Sequence, residues 1–173
     1  MDDLEVAWIY HTGDVDDGQE TLFGTSFQNT PIVVGDTMYL CTPRNRVIAL
    51  DAETGIEKWV YDSEVDTTGA ALVLCRGVSY WVDSEVSTDR PCRTRVFMGT
   101  LDARMVALDA ETGLLCEDFG ESGIVDLSDG IGNRLPGEYG VTSPPLIMGD
   151  LLVTGALVLD NIRVDAPGGV VRA

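Results

Sequence analysis

Apolar residues in this chain fall into short runs separated by Gly, Asp, Pro and Asn, with no long helical stripe. Pro31-Ile32-Val33-Val34, a Gly35-Asp36 turn and Thr37-Met38-Tyr39-Leu40 read as a hairpin. Val47-Ile48-Ala49-Leu50, the turn Asp51-Ala52-Glu53-Thr54-Gly55 and Ile56-Glu57-Lys58-Trp59 read as a second hairpin. Asp51 and Thr54 can hydrogen-bond the turn backbone, and Gly55 can supply a positive φ. The stretch recurs as Met105-Val106-Ala107-Leu108-Asp109-Ala110-Glu111-Thr112-Gly113-Leu114, in which Ala-Leu-Asp-Ala-Glu-Thr-Gly is repeated without change. An internal repeat built of short strands is the signature of stacked blade-like units.

The spacing predicts a four-stranded unit over residues 30–62 and a second over 72–119. The second is built from Leu74 to Val82, Thr94 to Thr100, Arg104 to Asp109 and Leu114 to Phe119. A Gly/Asp-rich linker follows from Gly120 to Gly140. Residues 141–173 form an incomplete unit: Ser143 to Met148, a Gly149-Asp150 turn, Leu151 to Leu157, and a third strand beginning at Val170. Residues 1–12 read as the closing strand of a preceding unit, because Val6-Ala7-Trp8-Ile9-Tyr10 parallels Glu57-Lys58-Trp59-Val60-Tyr61. The fold is therefore all-β, a partial β-propeller of four-stranded antiparallel blades. Propellers close with about four to eight blades, so these units cannot close a ring alone. Their unpaired edges favour self-association.

Charge narrows the partners. Twenty-nine acidic and 11 basic residues give a net charge of −18, and Lys58 is the only lysine. Nucleic acid is excluded as a partner, because phosphate backbones select Lys/Arg surfaces, and so is an anionic membrane surface. The acidity fits a strongly solvated surface, from a saline habitat or ordinary export. No run of about 18 apolar residues exists. The acidic start lacks the basic and apolar parts of a signal peptide, so either the chain is cytosolic or its targeting segment lies outside these residues. Cys41, Cys75, Cys92 and Cys116 form no CxxC pair. Free buried thiols and disulfides both remain open. His11 reads as a surface residue, and Asp14 to Gly18 as a solvated loop, not a calcium loop, since no Glu closes it. Trp8 and Trp59 read as blade-packing residues; Trp81 is left open.

The pattern Ala49-x-Asp51-x-x-Thr54-Gly55-x-x-x-Trp59 resembles the tryptophan-docking repeat of quinoprotein alcohol dehydrogenases, which carry pyrroloquinoline quinone (PQQ). In the second copy Glu117 replaces the tryptophan. Asp36 to Pro43, Cys75-Arg76-Gly77-Val78-Ser79-Tyr80 and Thr142-Ser143-Pro144-Pro145 resemble the membrane-bound glucose dehydrogenase and quinate/shikimate dehydrogenase branch. The resemblance runs from about Leu4 to Ala173, the first part of a larger catalytic propeller.

The resemblance implies a set of site residues. PQQ is a flat tricarboxylate, and arginine's planar fork suits a carboxylate; Arg76 occupies the arginine position that contacts the cofactor. Gln28 stands where relatives often carry Glu, and Thr142 where a threonine lies near a cofactor carboxylate. Gly155, with Ala156, lets the flat ring approach. Asp160 and Asn161 match the pair that ligates a divalent cation, Ca²⁺ or Mg²⁺, through hard oxygen donors. Leu72 departs from the histidine of the glucose dehydrogenase branch, which places sugar specificity in doubt. The implied activity is oxidation of a sugar, polyol or cyclic alcohol, with electrons passed to ubiquinone at the periplasmic face of the inner membrane. In the family the general base is an aspartate of a later blade, so the isolated chain is expected to be inactive. The competing reading is a non-enzymatic propeller scaffold resembling an outer-membrane assembly lipoprotein.

Overall fold

A computed structural model describes residues 4–14 and 23–173. Among these residues every regular element is a strand. There is accordingly no helix long and apolar enough to cross a membrane.

The first sheet contains β2 (Ile32–Val34), β3 (Thr37–Cys41), β4 (Arg46–Asp51) and β5 (Glu57–Asp62), in antiparallel order β2-β3-β4-β5. Short β1 (Thr25–Phe27) precedes it. The second sheet contains β7 (Ser79–Val82), β8 (Thr94–Gly99), β9 (Arg104–Asp109) and β10 (Ile124–Asp126), again in chain order. A hairpin of β12 (Leu146–Met148) and β13 (Leu151–Val153) begins a third unit, and Thr154 bridges Arg172. The strand expected from Val170 is therefore present only as that one bridge.

The two repeat turns form as their residues dictate. Asp51 Oδ1 accepts hydrogen bonds from the amides of Glu53 and Thr54 and from Thr54 Oγ1, at 3.2, 2.8 and 2.8 Å. Asp109 Oδ1 does the same for Glu111 and Thr112, at 3.0, 2.9 and 2.9 Å. Gly55 and Gly113 close the turns at φ 71° and 73°, the left-handed region that costs an L side chain about 1–2 kcal/mol.

These glycines also seat the tryptophans. Trp59, on the first sheet, lies over Gly113 of the second; a Cβ there would sit 2.6 Å from Trp59 Cε3. Trp59 Nε1 and the Tyr39 hydroxyl both donate to the Ala110 carbonyl, each at 3.1 Å. Trp8 stands in the same relation to Gly55, with Nε1 donating to Ala52 at 3.2 Å. The docking is thus a contact between successive units, and Trp8 and Trp59 are packing residues.

Alternation along each strand feeds two cores. Val47 and Ala49 of β4 join Val106 and Leu108 of β9 in one seam, while Ile48 and Leu50 face Trp8 and Tyr10 on the other side of the first sheet. Met105 and Ala107 of β9 face Ile147 and Leu152 of the third unit. A sheet buried on both faces has no polar side, which explains its near-continuous apolar runs.

Several expectations are corrected. The second sheet closes on β10, inside the stretch read as linker, and not at Leu114–Phe119. Leu115 makes only a single bridge to Leu108. Cys116 is tied to Cys92, and Ser122 (φ 52°) and Gly123 (φ 92°) turn the chain back before it can pair. Residues 4–14 form no strand: they pack on the first sheet through side chains such as Trp8 and Tyr10, and their backbone joins no ladder with a described segment; Trp8 and Tyr10 are half-buried while Leu4, Val6 and Ile9 are exposed. The run Leu74–Val82 is split at Arg76-Gly77 into β6 (Val73–Cys75) and β7, and β6 pairs in parallel with β1. Asp14 is not solvated: its side chain is 3% exposed, and it accepts from the Arg44 amide and Arg46 Nη1 at 3.0 and 3.2 Å. The rest of that expected loop, from residue 15 to 18, lies outside the described residues.

The cysteines form two disulfides, Cys41–Cys75 and Cys92–Cys116. Trp81 packs under Arg95, whose guanidinium carbon is 5.6 Å from the ring centroid. His11 is exposed.

Candidate cofactor site

Three linkers meet at one end of the sheets, each just upstream of the first strand of a unit. Gln28 precedes β2, Arg76 precedes β7 and Thr142 precedes β12. Backbone hydrogen bonds lock the three together. The Arg76 amide donates to Thr142 O at 2.8 Å, and the Arg76 carbonyl accepts from the Thr30 amide at 2.9 Å. The Cys41–Cys75 disulfide ties the residue before Arg76 to the end of β3.

The Arg76 side chain bridges its two neighbours. Nη1 donates to Thr142 Oγ1 at 3.0 Å and Nε donates to Gln28 Oε1 at 3.3 Å. Arg76 itself is exposed, although Cys75 and Gly77 on either side are buried. Thr142 is buried, at 5% exposure. Two N–H groups are therefore spent on orientation, and the remaining guanidinium N–H groups have no partner among the described residues. That leaves a fixed, charged donor suited to a carboxylate.

A cavity of about 330 Å³ opens beside this group, lined by Arg76, Thr142, Pro144, Gly155 and Ala156. Its size falls within the range of small-molecule sites. A Cβ built on Gly155 meets nothing within 4 Å, so the space above that backbone is open to a flat ring. Asn29, beside Gln28, accepts from the Cys41 amide through Oδ1 at 3.1 Å, while its buried Nδ2 has no partner. An orphaned buried donor calls for a ligand or water oxygen. The residues present thus fit a flat polycarboxylate. Asn29 was not singled out by sequence; its place between Gln28 and Thr30, in the linker before the first sheet, was the available signal.

Asp160 and Asn161 form an exposed turn just after β14 (Leu157–Val158), which pairs with β11 (Tyr139–Gly140). Carboxylate and amide oxygens fit a hard cation, and these two would hold it with further donors from the cofactor or elsewhere. Among the described residues, the only compact group of three cysteine, histidine or acidic ligands is Cys92, Cys116 and Asp118. Both its sulfurs are consumed in a disulfide, so it offers no thiolate to a metal. Glu138, at the head of β11, receives Arg163 Nε and Nη2 and the Leu135 amide. The Arg163 guanidinium and that amide hold its carboxyl down to about 2.

The family model described as "PQQ: Glucose/ethanol/alcohol dehydrogenase, beta-propeller domain" matches residues 1–173. The chain belongs to this family. It is 40% identical over 175 residues to the quinoprotein glucose dehydrogenase of Escherichia coli K12, covering 98% of this chain and 22% of the relative. It is 38% identical over 186 residues to the quinate/shikimate dehydrogenase (quinone) of Acinetobacter baylyi, again covering 98% and 22%. The crystal structure of the quinohemoprotein alcohol dehydrogenase of Comamonas testosteroni superposes with a TM-score of 0.58 at 26% identity, over 76% of this chain and 17% of that one. The chain therefore spans under a quarter of the length of these relatives, and its two four-stranded sheets are blades of a partial β-propeller.

Proposed function

We propose that this chain forms one wall of the cofactor site of a PQQ-dependent dehydrogenase that oxidises a sugar, polyol or cyclic alcohol. The observation that carries the reading is the Arg76 guanidinium, braced by Thr142 and Gln28 beside a cavity that Arg76, Thr142 and Gly155 line. A non-enzymatic scaffold has no use for such a constellation.

Arg76 would bind a cofactor carboxylate with its free N–H groups, and Thr142 and Gln28 would keep the guanidinium plane aligned with it. Gly155 and Ala156 would leave room for the ring. Asp160 and Asn161 would hold Ca²⁺ (or Mg²⁺) by their oxygens. When bound, PQQ supplies a two-electron quinone acceptor for an alcohol, and the cation supplies Lewis acidity. Leu72, half-buried beside β6, gives an apolar contact where the resemblance implies histidine, which favours a substrate other than glucose. We place the general base outside residues 1–173, ubiquinone as the acceptor, and the parent protein at the periplasmic face of the inner membrane.

The test is reconstitution of the intact protein with PQQ and Ca²⁺, followed by dye reduction with glucose, glycerol, quinate and related polyols. The reading expects turnover that requires PQQ and ignores NAD. Turnover without PQQ would refute it. Residues 1–173 alone are expected to give none; measurable turnover by them would place a base within this chain.

A further inference from the structure

The turn carrying Asp160 and Asn161 is exposed, so by itself it is a poor metal site: every turn conformation frozen on binding costs entropy. The structure shows what restrains it. Upstream, the Leu159 amide donates to the Glu138 carbonyl at 2.9 Å. Downstream, Arg163 Nε and Nη2 donate to Glu138 Oε1 and Oε2 at 2.6 and 2.7 Å. Residues 159–163 thus leave one residue and return to it. Arg163 is further held by the Asn133 carbonyl at 3.0 Å and by Asp165 at 2.8 Å.

Glu138 is fixed in turn. Its side chain is 6% exposed, and Oε2 also accepts from the Leu135 amide at 2.7 Å. The strand it heads is wedged against the second sheet. Tyr139 and Val141 are each 1% exposed, Val141 N donates to Thr100 O at 2.8 Å, and a Cβ on Gly140 would lie 2.3 Å from Leu101 O. That same strand delivers Thr142, the residue that braces Arg76.

We propose that Glu138 is a positioning residue for the metal site: through Arg163 and Leu159 it sets the place of the Asp160–Asn161 turn relative to Thr142 and Arg76. This rests on the reading that Asp160 and Asn161 hold the divalent cation. The carboxylate is needed because both its oxygens are engaged by the guanidinium fork, a bidentate pairing that fixes direction as well as distance. A glutamine keeps only one acceptor oxygen and no charge. Residues that orient metal ligands from behind typically change metal affinity 10- to 100-fold when removed.

The test uses the intact protein and two binding constants. Ca²⁺ affinity is measured by calorimetry on PQQ-loaded protein, and PQQ affinity by fluorescence in EDTA, where no divalent cation contributes to holding the cofactor. Glu138→Gln is expected to weaken Ca²⁺ binding by roughly 10-fold or more with PQQ affinity unchanged. Equal losses in both constants would mean general destabilisation and overturn the proposal. Asp160→Ala separates the proposal from the reading beneath it. If Asp160→Ala loses Ca²⁺ and Glu138→Gln binds it like the parent, the positioning role is wrong and the metal pair stands. If Asp160→Ala binds Ca²⁺ like the parent, the metal pair is wrong and the positioning role falls with it. Should Glu138→Gln fail to fold, Arg163→Gln, which leaves the carboxylate and its Leu135 hydrogen bond intact, takes its place with the same outcomes.

Discussion

Gly113→Ala tests the docking of one blade on the next. Gly113 is buried beneath the Trp59 indole at φ 73°, and an added Cβ would stand 2.6 and 2.7 Å from Trp59 Cε3 and Cδ2. Three costs follow. The left-handed backbone costs alanine about 1–2 kcal/mol. Displacing a packed ring costs about 1–3 kcal/mol. A displaced indole also loses its hydrogen bond to Ala110 O, about 0.5–1.5 kcal/mol. The sum is roughly 2.5–6.5 kcal/mol. Gly35→Ala is the control, because Gly35 has φ 61° and nothing within 4 Å of a Cβ; it should cost only the backbone term of about 1–2 kcal/mol. Equilibrium urea unfolding reads both. In a Trp59→Ala background the Gly113→Ala cost should fall to that of the control, the non-additivity expected of contacting residues. Equal losses for Gly113→Ala and Gly35→Ala in the parent would refute docking as the link between these sheets.

Two further predictions concern the disulfides and pH. Replacing either cysteine pair by alanine should cost about 3–4 kcal/mol, given loops of 34 and 24 residues. Only loss of Cys41–Cys75 should also weaken PQQ binding, because Cys75 adjoins Arg76; calorimetry and cofactor fluorescence read the two effects. The Glu138 carboxyl is held down to about 2 in the folded protein, against about 4.3 for an unfolded glutamate. A depressed carboxylate stabilises above its unfolded value and ceases to do so as pH falls through the folded one. The melting-temperature gap between parent and Glu138→Gln should therefore be flat above pH ~5 and close between about pH 4 and 2; a gap unchanged down to about pH 2 would contradict the pairing.

The repeat was legible because its turn chemistry is local. Asp51, Thr54 and Gly55 satisfy one another within five residues, as do Asp109, Thr112 and Gly113, and no distant contact can overrule them. Strand identity failed where partners decide. Leu114 to Phe119 is as apolar as a strand, yet the Cys92–Cys116 link and the turn at Ser122-Gly123 hand the edge to Ile124–Asp126. The β1–β6 pair joins segments 48 residues apart at Thr25 and Val73, and nothing in either short segment specifies the other. Asp14 reads as loop because its partners, Arg44 and Arg46, lie on the next hairpin. The same holds for the site. Gln28, Arg76 and Thr142 are unremarkable singly, and only the family resemblance marks them. Their geometric equivalence, each just ahead of a blade's first strand, emerges only from the assembled sheets. Glu138 and Arg163 gave no local signal, since their pairing depends on the β11–β14 ladder.

The central claim is that Arg76 anchors a PQQ carboxylate. It is tested most directly by titrating PQQ into the intact protein and its Arg76→Ala variant and following cofactor fluorescence. Hydrogen bonds to a charged group are worth about 1.5–3 kcal/mol, so the variant should bind roughly 10- to 100-fold more weakly while unfolding at the same urea concentration as the parent. Equal PQQ affinity in the two proteins would contradict the account.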